Sequence, residues 1–302
     1  MKKFTLAVLM GGISSERDVS LVSGKHVFEA LSKSFDCEAF RLDKNELPQG
    51  LDGARHIVFP AMHGEYGEDG TLQAQLEEEG IAYAGSDSLS SRVCMNKAAA
   101  KALLKQAEIP VAREILFDAA HKPDPKAALS LLGENLILKP ADKGSSVGLS
   151  AIKSAAELEE RLAEIGGGLW LLEEFFKGRE FSVGVLYGSA AGIVEIIPEG
   201  GVYDFKRKYT AGATRYEFPA KISSSDEIRI KDAAERAFKA CGCRDFARVD
   251  FILNGEGQFI VLELNTLPGM TPTSLLPKSA SCAGYTFESL CAKMLEGAIA
   301  RF

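Results

Sequence analysis

Ala247-Arg248-Val249-Asp250-Phe251-Ile252-Leu253, followed by Asn254-Gly255-Glu256-Gly257 and Gln258-Phe259-Ile260-Val261-Leu262-Glu263-Leu264, is a pair of apolar-rich runs about a glycine turn. The pattern predicts a β-hairpin, because Asn and Gly supply the backbone conformations that reverse a chain tightly. If residues 253 and 258 pair across the turn, Asp250 lies opposite Val261. Side chains alternate along a strand, so Arg248, Asp250, Val261, Glu263 and Asn265 then share one face, while Phe251, Leu253, Leu262 and Leu264 point the other way. Asp250, Glu263 and Asn265 are all oxygen donors, and diagonal neighbours across a β pair sit ~7–8 Å apart at Cα, near enough to converge on one cation. Hard oxygen ligands without Cys or His suit Mg²⁺, which keeps waters and bridges to substrate phosphates. The same alternation is also what the solvated face of a one-sided hairpin shows. Asn265 runs directly into Thr266-Leu267-Pro268-Gly269-Met270-Thr271, a turn that ends the strand beside the candidate site.

Upstream of the hairpin, Ser224-x-x-Glu227 is a capping-box signature for a helix over 226–241, with Ile230, Ala234, Ala237 and Cys241 facing inward. Residues 180–187 and 192–197 read as consecutive strands. The connection 198–219, with Gly200-Gly201, Gly212 and Lys206-Arg207-Lys208-Tyr209, has the length of a functional lid or a disordered segment. Further back, 136–140 and 169–176 read as strands around a charged helix over 155–165, and 96–106 as an alanine-rich helix ended by Ile109-Pro110. The first ~95 residues alternate strand and helix (strands at 4–10, 56–62 and 81–84; helices from Val19, carrying Val22, Val27, Ala30 and Leu31, and over 70–79). That alternation implies a small α/β layer on a parallel sheet.

The chain has 302 residues, a length for about two domains with three small ones within range. Apolar residues make up 46% and charged ones 25%, so a sizeable core is expected rather than disorder. The formal net charge of −7 argues against a protein built to neutralise nucleic-acid phosphates, although a local basic pocket is allowed. Gly11-Gly12 and the charged Glu16-Arg17-Asp18 interrupt the apolar N-terminus before a cleavable leader is complete, and no stretch reaches the ~18 apolar residues of a membrane span. A cytoplasmic protein with no membrane partner is expected. The six cysteines show neither a Cys-x-x-Cys pair nor zinc spacing, so they are expected to be reduced and mostly buried.

Lys139-Pro140-Ala141-Asp142-Lys143-Gly144-Ser145-Ser146-Val147-Gly148 follows a strand, and its backbone N–H groups and hydroxyls can cradle phosphate oxygens. A polar surface loop has the same composition. It is no Walker A motif, and Gly11-Gly12-Ile13 does not extend to the glycine fingerprint of a dinucleotide fold, which a rival from the nicotinamide oxidoreductase class would need. Glu173-Glu174-Phe175-Phe176 with Glu180 fits a nucleoside site, or a charged strand end in solvent. His63-Gly64-Glu65-Tyr66-Gly67-Glu68-Asp69-Gly70 falls where a parallel strand ends, the edge at which open α/β sheets bind ligands.

In order along the chain come Gly11-Gly12-x-Ser14-x-Glu16-Arg17-x-Val19-Ser20, His63-Gly64 with Gly67-Glu68-Asp69-Gly70, and Met95-x-Lys97. Lys139-Pro140 with Gly144-Ser145-Ser146-Val147-Gly148, Lys208-Tyr209, Arg248-x-Asp250, and Glu263-x-Asn265-Thr266-x-Pro268-Gly269-Met270-Thr271 with Ser274-Leu275 complete the series. Each is weak alone; together they make the chain resemble the D-alanine–D-alanine ligases of the ATP-grasp superfamily over nearly its whole length.

The resemblance implies an α/β (α+β overall) ATP-grasp fold: an N-terminal Rossmann-like substrate domain (1–95) and two α+β domains (96–180 and 181–302) enclosing the nucleotide. It implies ATP-dependent ligation of two D-alanines through a D-alanyl phosphate for peptidoglycan precursor synthesis, with ATP and two Mg²⁺ (Mn²⁺ as an alternative), in a homodimer. Lys97 and Lys139 would contact phosphates, Glu173 and the strand after it would read adenine, and Glu180 would hold the ribose. Ser146, Glu174, Phe175, Phe176 and Phe251 would complete the ATP site, and Lys208 would hold the transferred phosphoryl group. Asp250, Glu263 and Asn265 would carry the metals. Glu16 would take the ammonium of the first D-alanine, with Ser145 and Tyr209 around it and His63 nearby; Ser274 and Leu275 would receive the second. Arg248 and the Gly269 N–H would stabilise the oxyanion. Thr273 stands where the family often has His, so no acid–base role is implied for it. Tyr209 favours dipeptide formation over relatives that use D-lactate. Alternatives are a D-lactate- or D-serine-using relative, and a nucleotide-binding regulatory module that has lost catalysis.

Overall fold

A computed structural model describes residues 3–144, 147–198 and 214–302. The N-terminal sheet contains β1 (Thr5–Gly11), β2 (Cys37–Leu42), β3 (His56–Pro60) and β4 (Ala82–Tyr83) in the order β2-β1-β3-β4, every pair parallel. Its crossovers are α1 (Arg17–Leu31) and α2 (Thr71–Glu78). β1 and β3 are buried at every position, as parallel strands covered on both faces must be. Val22, expected to face inward, is 48% exposed. The buried stripe of α1 runs instead through Ser20, Ser23, Gly24, Val27 and Leu31, and the 3.6-residue period leaves Val22 off it.

The central sheet is antiparallel, with β5 (Glu114–Asp118), β6 (Leu136–Pro140), β7 (Ser150–Ile152) and β8 (Leu169–Glu174) in the order β5-β8-β6-β7. Two helices lead into it, α3 (Ser88–Met95) and α4 (Lys97–Gln106), the second capped by Asn96, whose side chain accepts from Ala99 N at 3.1 Å. α5 (Pro125–Leu132) and α6 (Ala155–Glu164) bury Ala128, Leu132, Leu158 and Leu162 against Leu136, Leu138 and Leu172 on the back of this sheet.

The third sheet joins β9 (Arg179–Leu186), β10 (Ser189–Pro198), β11 (Thr214–Glu217), β12 (Phe246–Leu253) and β13 (Phe259–Asn265) in the order β11-β10-β9-β12-β13. β11 lies within the 198–219 connection, so its C-terminal end is ordered strand rather than loop. α7 (Ser224–Ala240) covers one face with Ile230, Ala234, Ala237 and Cys241, all buried as expected. Its cap is Ser223, one residue earlier than the capping-box reading placed it, with Ser223 Oγ accepting from Asp226 N at 3.1 Å. α8 (Leu275–Cys282) lies on the other face, and α9 (Phe287–Arg301) returns to the N-terminal sheet, packing Leu290, Met294 and Leu295 with Leu6, Val8 and Ile57. Among the described residues no helix is long and apolar enough to cross a membrane, and all six cysteines are free thiols.

The hairpin forms, but in a different register. Leu253 pairs with Phe259, and between Phe251↔Val261 and Asp250↔Glu263 the ladder shifts by one residue, Leu262 being the extra one. The shift reverses the alternation. Val261 joins Phe251, Val249 and Leu264 in the core, contrary to the simple reading, and Leu262 turns to the opposite face with Ile252, Ile260 and Glu263. Asp250 now stands directly opposite Glu263, and Arg248 opposite Asn265.

Close packing of α8 relies on Gly184 and Gly192. Ser279 Oγ accepts from Gly184 N at 2.8 Å and donates to the Gly192 carbonyl at 2.5 Å. A Cβ at Gly192 would overlap Cys282, reaching 2.8 Å from its Sγ. Gly192→Val is therefore expected to cost about 1–3 kcal/mol, the usual penalty for overpacking. A urea-denaturation midpoint equal to that of the parent would show that α8 can shift to make room.

Candidate functional site

The faces of the central and third sheets meet across a cleft of about 1100 Å³ of atom-free space, counted with the solvent at its mouth. β6 and β8 contribute Ile137, Lys139, Glu173 and Glu174, the connection after β8 contributes Phe175 and Phe176, and β9 contributes Glu180. β12 and β13 supply Arg248, Asp250, Ile252, Ile260, Leu262 and Glu263, and Lys97 sits at the start of α4. The cleft thus has an apolar wall of Ile137, Ile252, Ile260 and Leu262 beside a charged end, a combination that suits a flat apolar ring carrying an anionic tail. The apolar wall escaped the sequence reading because nothing in a run of apolar residues marks which of them turn outward.

Phe251 is not brought to this cleft. It is fully buried in the core behind β12, edge-on to Phe259, because it is out of phase with Asp250 and Ile252. Ser145, Ser146, Lys208 and Tyr209 lie outside the described residues.

At the charged end, Lys139 Nζ lies 2.8 Å from Glu173 Oε2, and Lys101 Nζ lies 2.8 Å from Glu173 Oε1. Burial pushes the Glu173 carboxyl up, but the ammonium groups of Lys139 and Lys101 more than reverse this and hold it below the usual carboxylate range. The Glu174 carboxylate is turned to Arg113, accepting from its backbone N at 2.9 Å and Nε at 2.6 Å. Lys97 Nζ donates to the Lys143 carbonyl at 2.6 Å and stands 3.8 Å from Glu263 Oε2. Burial draws the Lys97 ammonium below the ordinary lysine range, with Glu263 pulling the other way. Lys143 also pairs with Glu65, tying the 141–148 loop to the N-terminal unit.

Arg248 and Asp250 form a buried fork, Nε to Oδ1 at 2.9 Å and Nη2 to Oδ2 at 2.8 Å, and Ser182 Oγ donates to Oδ1 at 2.7 Å. Asn265 Oδ1 accepts from Leu267 N at 3.0 Å. Ser182, on the neighbouring strand, carries no motif signal in the sequence.

Glu16 is buried at the start of α1, beside the loop that carries His63. Ser14 Oγ donates to the His63 carbonyl at 2.7 Å, and a Cβ on Gly64 would come within 3.2 Å of Glu16 Oε2. Gly64, at φ +75°, permits this approach. His63 is buried in a relay: Met270 N donates to Ser23 Oγ at 3.2 Å, Ser23 Oγ lies 3.0 Å from His63 Nε2, and His63 Nδ1 lies 3.1 Å from the Leu267 carbonyl. The Leu267 carbonyl can only accept, so His63 Nδ1 is the donor of that bond. This relay fixes the 267–270 turn, and with it Gly269, against α1. Ser274 Oγ accepts from Thr271 N at 3.1 Å, and Ser274-Leu275 opens α8, whose unpaired N–H groups make an anion-receiving end. Thr273 is exposed, 3.1 Å from Thr271 Oγ1.

The chain is similar to known proteins over nearly its whole length. A family model described as D-ala D-ala ligase C-terminus matches residues 103–296. A D-alanine–D-alanine ligase from an Anaeromyxobacter species is 41% identical over 297 residues, covering 97% of this chain and 96% of the relative. One from Actinobacillus succinogenes is 40% identical, covering 98% of each. The crystal structure of a Bacillus anthracis D-alanine–D-alanine ligase complexed with ATP superimposes with a TM-score of 0.85 at 30% identity, covering 98% of both chains. The VanG D-Ala:D-Ser ligase from Enterococcus faecalis superimposes with 0.84 at 28% identity, covering 98% of this chain and 99% of that one. With a family model matching over half of the chain, a shared fold and identity of this extent, the chain belongs to the D-alanine–D-alanine ligase family of ATP-grasp enzymes.

Proposed function

We propose that this chain joins two D-alanine molecules at the expense of ATP, acting in the cytoplasm as a homodimer. It is an ATP-dependent, ADP-forming carboxylate–amine ligase that supplies D-alanyl-D-alanine for peptidoglycan precursors. The observation that carries the reading is the single cleft in which Lys97, Lys139, Glu173 and Glu180 from one side meet Arg248, Asp250 and Glu263 from the other.

A carboxylate is a poor electrophile, since its charge repels an incoming amine. Its oxygen therefore first attacks the γ-phosphorus of ATP, the bond to ADP breaks, and an acyl phosphate forms. Such a transfer needs positioning and charge neutralisation rather than a protein nucleophile. Lys97 and Lys139 supply positive charge to the phosphates, and the apolar wall with Phe175 and Phe176 takes the base. Glu180 accepts from the ribose hydroxyls. Glu16 holds the ammonium of the first D-alanine, with His63 fixing the turn beneath it. Ser274 and Leu275, at the start of α8, receive the carboxylate of the second. Its amine then attacks the carbonyl, and Arg248 with the Gly269 N–H meets the developing oxyanion; phosphate leaves and the nitrogen loses a proton. Lys208, Ser145, Ser146 and Tyr209 belong to the same reading and fall outside the described residues.

The donor set fits Mg²⁺ or Mn²⁺. Among the described residues no group of three or more His, Cys, Asp or Glu is placed to hold a metal, but Asp250, Glu263 and Asn265 offer two carboxylates and an amide on one face. Asn265 Oδ1 retains a lone pair beyond Leu267 N. Both Asp250 oxygens already accept two hydrogen bonds each, Oδ1 from Arg248 Nε and Ser182 Oγ and Oδ2 from Arg248 Nε and Nη2, so a cation would take the place of part of that fork. Few protein ligands of this hardness suit a cation that keeps waters and phosphate oxygens in its shell. When bound, it would neutralise phosphate charge.

Incubation with ATP, Mg²⁺ and D-alanine is expected to release phosphate and dipeptide in equal amounts; ATP turnover indifferent to D-alanine would overturn the reading. With D-lactate and D-serine as competing acceptors, dipeptide should dominate, and Tyr209→Phe should raise the D-lactate ester. An unchanged product ratio would remove Tyr209 from acceptor choice.

A further inference from the structure

Lys97, Lys101 and Lys105 recur every four residues along α4, a single helical stripe. The outer two point to the cleft and to solvent, while the middle one is 2% exposed and takes no part in the chemistry proposed above. Lys101 Nζ touches two carboxylates. It lies 2.8 Å from Glu173 Oε1 and against Glu114 Oε2, while the second oxygen of Glu173 faces Lys139 at 2.8 Å and that of Glu114 faces Lys105 at 2.7 Å.

We propose that Lys101 is a positioning residue for the nucleotide: by holding Glu173 from behind, it keeps the charge of Lys139 available to the phosphates in the cleft. The inference rests on the reading that Lys139 meets those phosphates. The chain Lys105–Glu114–Lys101–Glu173–Lys139 carries three ammonium groups against two carboxylates. Lys105 is half exposed, so water screens its charge. The excess positive charge is therefore felt at the other end, at Lys139, which lines the cleft. Without Lys101, Lys139 is left as the ammonium in direct contact with Glu173, with Lys97 acting on it at longer range. A phosphate must then compete for Lys139 with a carboxylate that has lost its second ammonium contact, in surroundings where that competition is weakly screened. Lys101 also fixes the Glu173 rotamer, and so where Lys139 Nζ rests.

The test uses the full-length enzyme with ADP and Mg²⁺ as the binding probe, alongside steady-state kinetics. Lys101→Met is expected to raise the Kd for ADP and the KM for ATP by about tenfold or more, with the KM for D-alanine changed by less than about twofold; Lys101→Arg should recover part of the loss. In a Lys139→Met background, Lys101→Met should add little, since it acts through the residue already removed. If Lys101→Met does not fold, Lys101→Met with Glu114→Gln removes one charge of each sign from the rear of the chain and should show the same rise in KM for ATP. A folded variant that binds ADP as tightly as the parent overturns the proposal. If Lys139→Met weakens ADP binding and the Lys101 variants do not, the proposal alone fails. If Lys139→Met itself leaves ADP binding unchanged, the phosphate reading of Lys139 fails and the proposal with it.

Discussion

Replacing Arg248 with alanine should lower kcat by about 100- to 1000-fold, the loss of ~3–4 kcal/mol that follows removal of one preorganised oxyanion donor. The guanidinium is buried on β12, and its plane is set by the two-point fork to Asp250, itself held by Ser182. A donor fixed in this way reorganises little when charge develops on the carbonyl oxygen, which is the origin of the effect. The KM for ATP should move far less than kcat, because in the proposed reading the apolar wall and the lysines, rather than Arg248, would hold the nucleotide. Arg248→Lys should rescue little, since an ammonium cannot reproduce the fork. Near-normal turnover by a folded Arg248→Ala enzyme would remove Arg248 from oxyanion stabilisation.

Glu263→Gln should raise the Mg²⁺ concentration needed for half-maximal ATP turnover by about tenfold, equivalent to ~1.4 kcal/mol. The amide keeps an oxygen in place and loses the charge that attracts the cation. The thermal midpoint should hardly change, because the Glu263 side chain is 36% exposed and solvent screens its pair with Lys97, 3.8 Å away. A metal titration that superimposes on that of the parent would take Glu263 out of the ligand set.

VanG, named for D-serine, superimposes on this chain about as well as the ATP-bound D-alanine–D-alanine ligase does. Overall fold similarity therefore does not separate the two acceptors, which leaves the competition experiment with Tyr209→Phe to decide between them.

Much of the architecture could be read from local pattern. The apolar run before Gly11-Gly12, the strand at 136–140 and the inward stripe of α7 need only period-two or period-3.6 repetition and a capping residue, all local properties of the chain. α3, the edge strand β2, α5 and α9 went unread; β2 is mostly half-buried, so no continuous apolar run marks it. Candidate ligands were legible because Asp, Glu and Asn among apolar neighbours stand out chemically.

Which way those neighbours face was decided elsewhere. Val261 and Leu262 are interchangeable to a sequence reader, yet a one-residue bulge sends the first to the core and the second to the cleft, and brings Glu263 opposite Asp250. No glycine marks the bulge; it follows from pairing with β12, itself set by β9 on its other side. Lys101 reads as one more lysine on an alanine-rich helix until β5 and β8 close over it. The amino-acid order alone determined many of the elements, the chemical inventory and the family resemblance. Strand register, the phase of β13 and the company kept by a buried ammonium came only with tertiary contacts, since each depends on residues far apart in the chain.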